Sequence, residues 1–173
     1  MLILGCDPGK TNCAIVVLDV NPIFELKNDD FIPFNEYTII YSHVYNLSCT
    51  STTVSGIILE FCACIVNLKD LYKVELAFVE VQGFKQGKSI MMNNVYNNII
   101  QAAFITFWVT NSIDTRTVNP QKWRQKFGLN KIKKTAGQYR ELCLLSNVIN
   151  YKLLRTDHEF DAAMIAIAGY ELK

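Results

Sequence analysis

The alternation of apolar and polar residues divides the chain into strands and helices. Short alternating or continuous apolar runs predict five strands, at residues 2–7, 14–18, 36–44, 74–81 and 113–118. The first two enclose a turn rich in Asp, Pro, Gly and Asn, so we expect a hairpin over residues 3–19 that puts Asp7 at the end of a buried strand. Residues 21–35 contain two prolines and an Asn-Asp-Asp run, which favours a connection.

Apolar residues spaced three and four apart predict the helices. This spacing favours helices over residues 51–69 and 90–111, one that begins at Pro120, and one over residues 135–149. The segment 156–168 predicts a last helix whose second half is small and apolar, so that it can pack closely against a sheet. The succession of elements predicts an α/β fold in a single domain over residues 1–173, with a central mixed five-stranded sheet flanked by helices.

The composition limits the classes of function. At 173 residues, of which 50% are hydrophobic and 12% aromatic, the chain is long enough for a folded core. A net charge of +1 means that any nucleic-acid site must be local. No apolar run has membrane-spanning length, and no basic region precedes the first apolar stretch. We therefore expect an intracellular protein with reduced cysteines and no membrane partner.

Three isolated carboxylates are the candidate chemistry. Asp7 and Glu80 stand at the ends of predicted strands, and Asp161 is followed by a purely apolar run. A carboxylate that leaves water is costly unless it is paired, and a hard cation such as Mg²⁺ or Mn²⁺ is its best partner. The structural alternatives are a turn cap for Asp7 and a solvated strand end for Glu80.

Two more polar residues precede Asp161 on the predicted terminal helix. Asp157 and His158 lie four and three residues before it, so each shares a helix face with it. Asp157 can alternatively cap the helix, and Glu159 is predicted to point into solvent. Carboxylates brought within a few ångströms repel one another unless cations hold them, and two divalent ions about 4 Å apart would also clamp a phosphodiester.

One stretch of the chain is strongly basic. Residues 122–134 hold six Lys or Arg residues and no acid, with two aromatic residues between them. A solvated helix face is the alternative, but the lack of compensating acids favours contact with a phosphate backbone. The loop 82–89 adds one aromatic residue and two lysines. The candidate DNA contacts are Phe84, Lys85, Lys88, Lys122, Arg124, Lys131, Lys133 and Lys134.

The order of elements and the placement of the acids fit a ribonuclease H-like nuclease, and three stretches resemble a known family. These stretches are ILGCDPGKTNCAIVVLD near the start, AFVEVQ in the middle and DHEFDAAMIAIA at the end. In order and spacing they resemble the RuvC superfamily of Holliday-junction resolvases, most of all the poxvirus resolvases, over nearly the whole chain. The resemblance implies that Asp7, Glu80 and Asp161 are catalytic metal ligands, completed by His158 or Asp157.

The resemblance also implies the activity and its partners. It implies a structure-selective endodeoxyribonuclease that resolves four-way junctions and other branched DNA with two Mg²⁺ ions per site, for which Mn²⁺ can substitute. Such an enzyme serves DNA recombination or the resolution of replicated viral genomes, and a viral member would act in the host cytoplasm. A homodimer is implied, with the helix over residues 90–109 as the candidate interface. Phe84 is expected to stack on an unpaired base or to anchor its loop, and Lys134 to stabilise charge in the transition state.

Two alternatives use the same residues differently. A catalytically inactive junction-binding protein would keep the DNA contacts without cutting. The run beginning at Asp7 also looks like the first phosphate loop of sugar kinases and actin-like ATPases, but those need two such domains and 173 residues supply one. A nucleotide-binding P-loop is excluded, because only three residues separate Gly5 from Gly9 and a strand follows.

Overall fold

The elements follow the predicted order with one addition. The structure, a computed structural model, describes residues 1–9, 11–27, 30–47, 53–81, 88–129 and 136–172. The strands within these residues are β1 (Leu2–Asp7), β2 (Cys13–Lys27), β3 (Asp30–Tyr45), β4 (Leu76–Glu80), β5 (Asp114–Val118) and β6 (Val148–Ile149). The helices are α1 (Val54–Leu71), α2 (Lys88–Thr110), α3 (Pro120–Lys126), α4 (Ala136–Leu145) and α5 (Asp157–Glu171).

The strands form one mixed sheet in the order β5-β4-β1-β2-β3-β6. β2 is antiparallel to both β1 and β3, whereas β1, β4 and β5 run parallel. The predicted α/β class and the mixed sheet are confirmed, with six strands instead of five. The sixth lies inside the predicted helix 135–149. That helix ends at Leu145, just before Asn147 adopts a left-handed φ of 52°, and β6 then pairs with β3.

The predicted connection over residues 21–35 is wrong, because this segment continues β2 and β3. The two strands pair from Asn21 with Glu36 out to Lys27 with Asp30. Among the described residues, each strand of this ribbon has only the other as a neighbour. A proline, which lacks an N–H donor, is tolerated in a strand that has such an open edge.

Helices cover both faces of the sheet and bury two separate cores. One face, the α5 face, is covered by α5, with side chains of α3 and α4 beside it. The other, the α1–α2 face, is covered by those two helices, which contribute Phe61, Phe104 and Trp108. Among the described helices, none combines the length and the apolar character needed to cross a bilayer.

The small residues of α5 let the helix lie directly on β1, which is the close packing that the sequence predicts. A Cβ atom at Gly5 would stand 2.0 Å from the carbonyl oxygen of Ala162 and 2.9 Å from the Cβ of Ala166. Helix backbone and strand backbone are therefore in contact at this point. The contact fixes where the acidic start of α5 lies relative to the end of β1.

Candidate active site

The carboxyl ends of two parallel strands bring Asp7 and Glu80 to the same edge of the sheet. Cys6 of β1 is in register with Val79 of β4, so the acid that ends each strand follows at the same level. Both acids lie on the α5 face, because side chains alternate along a strand and these two neighbours, Cys6 and Val79, belong to the opposite core. The pairing of β1 with β4 is therefore enough to make Asp7 and Glu80 neighbours.

Helix α5 adds the third acid. Asp161 immediately precedes Ala162, the residue whose carbonyl oxygen meets Gly5. The carboxylates are largely withdrawn from water, with 7% of Glu80, 8% of Asp161 and 14% of the Asp7 side chain exposed. Burial raises the pKa of Glu80, and the charges of Asp7 and Asp161 raise it further. The three predicted ligands therefore act on one another electrostatically.

Glu80 is held by two residues of α3. The indole Nε1 of Trp123 donates a hydrogen bond to Glu80 Oε1 at 2.9 Å, and Arg124 Nη2 approaches the same oxygen at 3.3 Å. Both contacts oppose the rise in the pKa of Glu80 that burial causes. The start of α3 is fixed by Asn119, whose side chain accepts from the N–H groups of Gln121 and Lys122, so Trp123 falls beside the end of β4.

Asp161 is held by a tyrosine of α4. The hydroxyl of Tyr139 donates to Asp161 Oδ1 at 2.7 Å. The Tyr139 ring is buried and stacks on Phe160, with ring centroids 4.7 Å apart and planes inclined by 19°. Burial, and then the negative charge of Asp161, raises the pKa of Tyr139, so its hydroxyl keeps its proton and acts as a donor.

Asp7 meets the histidine of α5. His158 Nδ1 lies 2.8 Å from Asp7 Oδ2, while 45% of the His158 side chain is exposed. The hydrogen bond to Asp7 raises the pKa of His158, and it outweighs the burial that would lower it. Of the two residues predicted to complete the acid site, the structure brings His158 to Asp7 and leaves Asp157 exposed in the first turn of α5.

At the start of α5, the structure excludes the cap that was the alternative for Asp157 and corrects the prediction for Glu159. Thr156, not Asp157, caps the helix, because the Thr156 hydroxyl accepts from the Glu159 N–H. Glu159 was expected in solvent but is buried, since its carboxylate turns back to accept from the N–H groups of Arg155 and Thr156. The Ser42 hydroxyl of β3 also donates to it at 2.8 Å. Glu159 thus ties α5 to β3 beside the acids.

The predicted DNA contacts lie in three situations. Lys122 is exposed on α3, and Arg124 pairs with Glu80 instead of pointing freely outward. Lys88 is the first residue of α2. The remaining predicted contacts, which include the predicted catalytic lysine, lie outside the described residues: Phe84, Lys85, Lys131, Lys133 and Lys134.

Trp123 and Tyr139 are site residues that sequence reasoning missed. Trp123 carried a usable signal, because a helix that starts directly after a strand parallel to β4 must pass the end of β4. Tyr139 carried none, because its distance of 22 residues from Asp161 says nothing about contact. Tyr139 is recognised only when the helices of the α5 face are in place.

The acids fit a divalent cation in their chemistry but are not arranged as a coordination shell. Three carboxylates offer the hard oxygen donors that Mg²⁺ and Mn²⁺ prefer, and a cation would relieve the repulsion that raises the pKa of Glu80. Yet within the described part of the chain no group of three or more His, Cys, Asp or Glu side chains is placed to hold an ion. Each of the three acids has a hydrogen-bonding partner, which is Trp123 for Glu80, Tyr139 for Asp161 and His158 for Asp7.

The fold defines the structural class: this is an α/β domain with the ribonuclease H-like architecture of RuvC. Solved structures similar to it are Holliday-junction resolvases. RuvC of Thermus thermophilus in complex with a Holliday junction substrate superimposes with a TM-score of 0.70 and 15% identity, over 97% of this chain and 92% of that one. The yeast mitochondrial resolvase Ydc2 gives 0.65 and 14%, over 96% and 76%.

A viral structure belongs to the same group. The fowlpox virus resolvase, solved with its substrate Holliday junction DNA, gives a TM-score of 0.58 and 16% identity, over 99% of both chains. No protein-family model matches the sequence, and no curated protein matches it. At these identities the likeness establishes the fold, so the resemblance to the RuvC superfamily noted in the sequence is confirmed at the level of architecture.

Proposed function

We propose that this protein is a metal-dependent endonuclease that resolves four-way DNA junctions and other branched DNA. The observation that carries the proposal is the convergence of Asp7, Glu80 and Asp161 from β1, β4 and α5 at one end of a RuvC-type sheet. The similar structures include two that are described with Holliday junction DNA. The cellular role would be DNA recombination or the resolution of replicated viral genomes, in the host cytoplasm if the protein is viral.

The three acids would hold two Mg²⁺ ions, for which Mn²⁺ can substitute, with His158 or Asp157 completing the set. When bound, such ions activate water and neutralise charge on the phosphate. The chain's own residues orient the carboxylates through Trp123 and Tyr139. Lys122 and the other predicted basic residues would hold the phosphate backbone, and Lys134 would stabilise charge at the cut.

A two-fold homodimer would present two sites to the two scissile strands of a junction. The predicted interface helix, α2, turns Ile100, Phe104 and Trp108 into the protein's own core. The interface would therefore use the outer surface of the layer formed by α1 and α2. That surface exposes apolar residues of both helices, with Leu59 of α1 70% exposed and Val109 of α2 also exposed.

A cleavage assay tests the proposal. A labelled synthetic four-way junction and a linear duplex are incubated with Mg²⁺, Mn²⁺ or EDTA. We expect paired symmetric nicks in the junction alone, which require metal and are absent with Asp161→Asn. Asp19→Asn is the matched control, because Asp19 lies at the opposite end of the β1–β2 hairpin, paired with Leu2. Cleavage of the junction by Asp161→Asn at the normal rate would refute the assignment of the acids.

A junction-binding protein without nuclease activity is the second candidate. It is favoured by the lack, among the described residues, of a group of three or more His, Cys, Asp or Glu side chains placed to hold an ion. Tight binding of the junction with no cutting under either metal would establish it. The phosphotransferase alternative requires a second domain of this kind, and an assay of ATP-dependent phosphoryl transfer would distinguish it from a nuclease.

A further inference from the structure

Two of the three acids are held by aromatic donors that stand on different helices. Trp123 of α3 donates to Glu80 at 2.9 Å, and Tyr139 of α4 donates to Asp161 at 2.7 Å. Both aromatic side chains are buried, so water does not compete for these bonds. We infer that Trp123 and Tyr139 are positioning residues that orient the carboxylates of Glu80 and Asp161 for a divalent cation, an inference that rests on the proposed function.

The chemical type of these donors supports a positioning role. An indole N–H and a phenol hydroxyl orient a carboxylate oxygen without adding positive charge, so the acid keeps the charge that attracts a cation. The third acid, Asp7, has a different kind of partner, because His158 is half-exposed and carries a positive charge when protonated. Arg124 also approaches Glu80, but at a longer 3.3 Å and with a partly exposed side chain.

Both donors are themselves held in place. The Tyr139 ring stacks on Phe160, the residue next to Asp161, so Tyr139 of α4 contacts two adjacent residues of the same turn of α5. Trp123 is packed within the core of the α5 face, and the guanidinium of Arg124 lies 5.1 Å from the centre of its ring. Donors whose rotamers are locked by packing restrict the carboxylate more than mobile ones do.

A second tyrosine provides a control of the same chemistry. Tyr37 of β3 is also buried and donates to Glu171 at 2.6 Å, near the opposite end of α5 from the acids. Replacing either tyrosine by phenylalanine keeps the ring and removes one hydroxyl-to-carboxylate hydrogen bond. General effects on α5 should therefore be similar in the two variants, whereas an effect on cation binding should be confined to Tyr139→Phe.

The experiment measures Mn²⁺ binding by calorimetry without DNA, for the wild type, Tyr139→Phe, Tyr37→Phe and Asp161→Asn. Loss of a partner that orients a ligand typically weakens metal binding about 10-fold to 100-fold, and we expect that range for Tyr139→Phe. Tyr37→Phe should stay within about twofold of the wild type on the same reasoning. Junction cleavage by Tyr139→Phe should recover when Mn²⁺ is raised, with junction affinity in EDTA unchanged.

The outcomes separate this inference from the function on which it rests. Wild-type affinity in Tyr139→Phe, together with loss of binding in Asp161→Asn, would overturn the positioning role and leave the metal site intact. Equal weakening in Tyr37→Phe would also overturn it, because the effect would then be general. Absence of Mn²⁺ binding in the wild type would remove the proposed function itself. Trp123→Phe, checked by its melting temperature, extends the test to Glu80, and wild-type affinity there would limit the role to Tyr139.

Discussion

The two faces of the sheet are built by different means. On the α5 face, backbone meets backbone at Gly5, and a Cβ atom at Gly169 would likewise stand 2.3 Å from the Phe78 ring. On the α1–α2 face, large aromatic side chains fill the space. The ring centroid of Phe104 lies 6.4 Å from that of Phe61 and 6.1 Å from that of Trp108. One face is fixed by close approach and the other by apolar volume.

This difference coincides with the position of the candidate site. All three acids and their donors Trp123 and Tyr139 belong to the α5 face, where α5 is tied to β3 by Glu159 near its start and by Tyr37 near its end. Close approach leaves a helix few alternative positions, whereas apolar filling tolerates some repacking. We therefore expect substitutions on the α5 face to disturb both stability and chemistry, and those on the other face to disturb stability alone.

Gly5→Ala should have the largest effect. The new methyl group would meet the Ala162 carbonyl oxygen, a backbone atom that cannot move without α5. We expect a loss of about 5 kcal/mol or more, enough to prevent folding, as seen by circular dichroism and soluble yield. Cys6→Ala is the control, since Cys6 is the next residue and faces the other core, where about 1–2 kcal/mol is expected. A folded Gly5→Ala protein with near-normal stability would contradict the close approach.

Phe104→Ala should come second. Phe104 is fully buried between Phe61 and Trp108, so its removal leaves a cavity on the α1–α2 face and should cost about 4 kcal/mol in thermal unfolding. Phe104→Leu, which keeps most of the volume, should cost about 1 kcal/mol. Below its melting temperature, Phe104→Ala should cleave junctions at the wild-type rate. A folded but inactive variant would show that the α1–α2 face does shape the site.

The sequence predicted the acids better than their surroundings, for a physical reason. Asp7 and Glu80 were found because a carboxylate at the end of a buried strand is conspicuous in a local pattern. The small residues of α5 likewise indicated that this helix packs closely against the sheet. The contact of Tyr139 depends on where α4 packs, which no local pattern encodes, and the only signal for Trp123 was the start of α3 directly after β5. The acids could therefore be assigned to an edge of the sheet but not to their partners.

The errors in the fold have similarly specific causes. Prolines in residues 21–35 suggested a connection. A two-stranded ribbon with open edges tolerates proline as a loop does, so turn residues cannot distinguish the two. β6 is only two residues long and pairs with β3 at Tyr37 and Thr38, too short for any pattern. The error at Glu159 could have been avoided, because Thr156 three residues earlier completes the sequence signature of a capping box.

Glu159→Gln should rank third and depend on pH. Burial alone would raise the pKa of Glu159, but hydrogen bonds from Arg155, Ser42 and Thr156 outweigh it and hold the pKa below the ordinary value. A lowered folded-state pKa contributes stability above the unfolded-state pKa, and that contribution is lost as pH falls through the folded value. We expect the amide to cost about 2 kcal/mol at pH 7.

Denaturant unfolding of both proteins from pH 7 down to pH 3 checks the Glu159 prediction. The difference in stability should be constant near pH 7 and should shrink once the pH falls below the unfolded-state pKa, as the carboxylate takes up a proton. Glu75→Gln is the control, because the hydrogen bond that Glu75 accepts from the Leu2 N–H is exposed, so the change should alter stability by less than about 0.5 kcal/mol. A difference that stays constant over this range would show that the carboxylate charge of Glu159 does not stabilise the fold.

The smallest expected effect tests whether the two faces are independent. Ile65 of α1 and Ile165 of α5 are both fully buried, in separate cores on opposite sides of the sheet. Ile65→Val and Ile165→Val each remove one methylene group and should each cost about 1 kcal/mol. Because the sheet separates the two cores, the double variant should lose the sum of the two within about 0.5 kcal/mol in chemical denaturation. A larger coupling energy would mean that strain crosses the sheet, and packing against α1 would then reach the helix that carries Asp161.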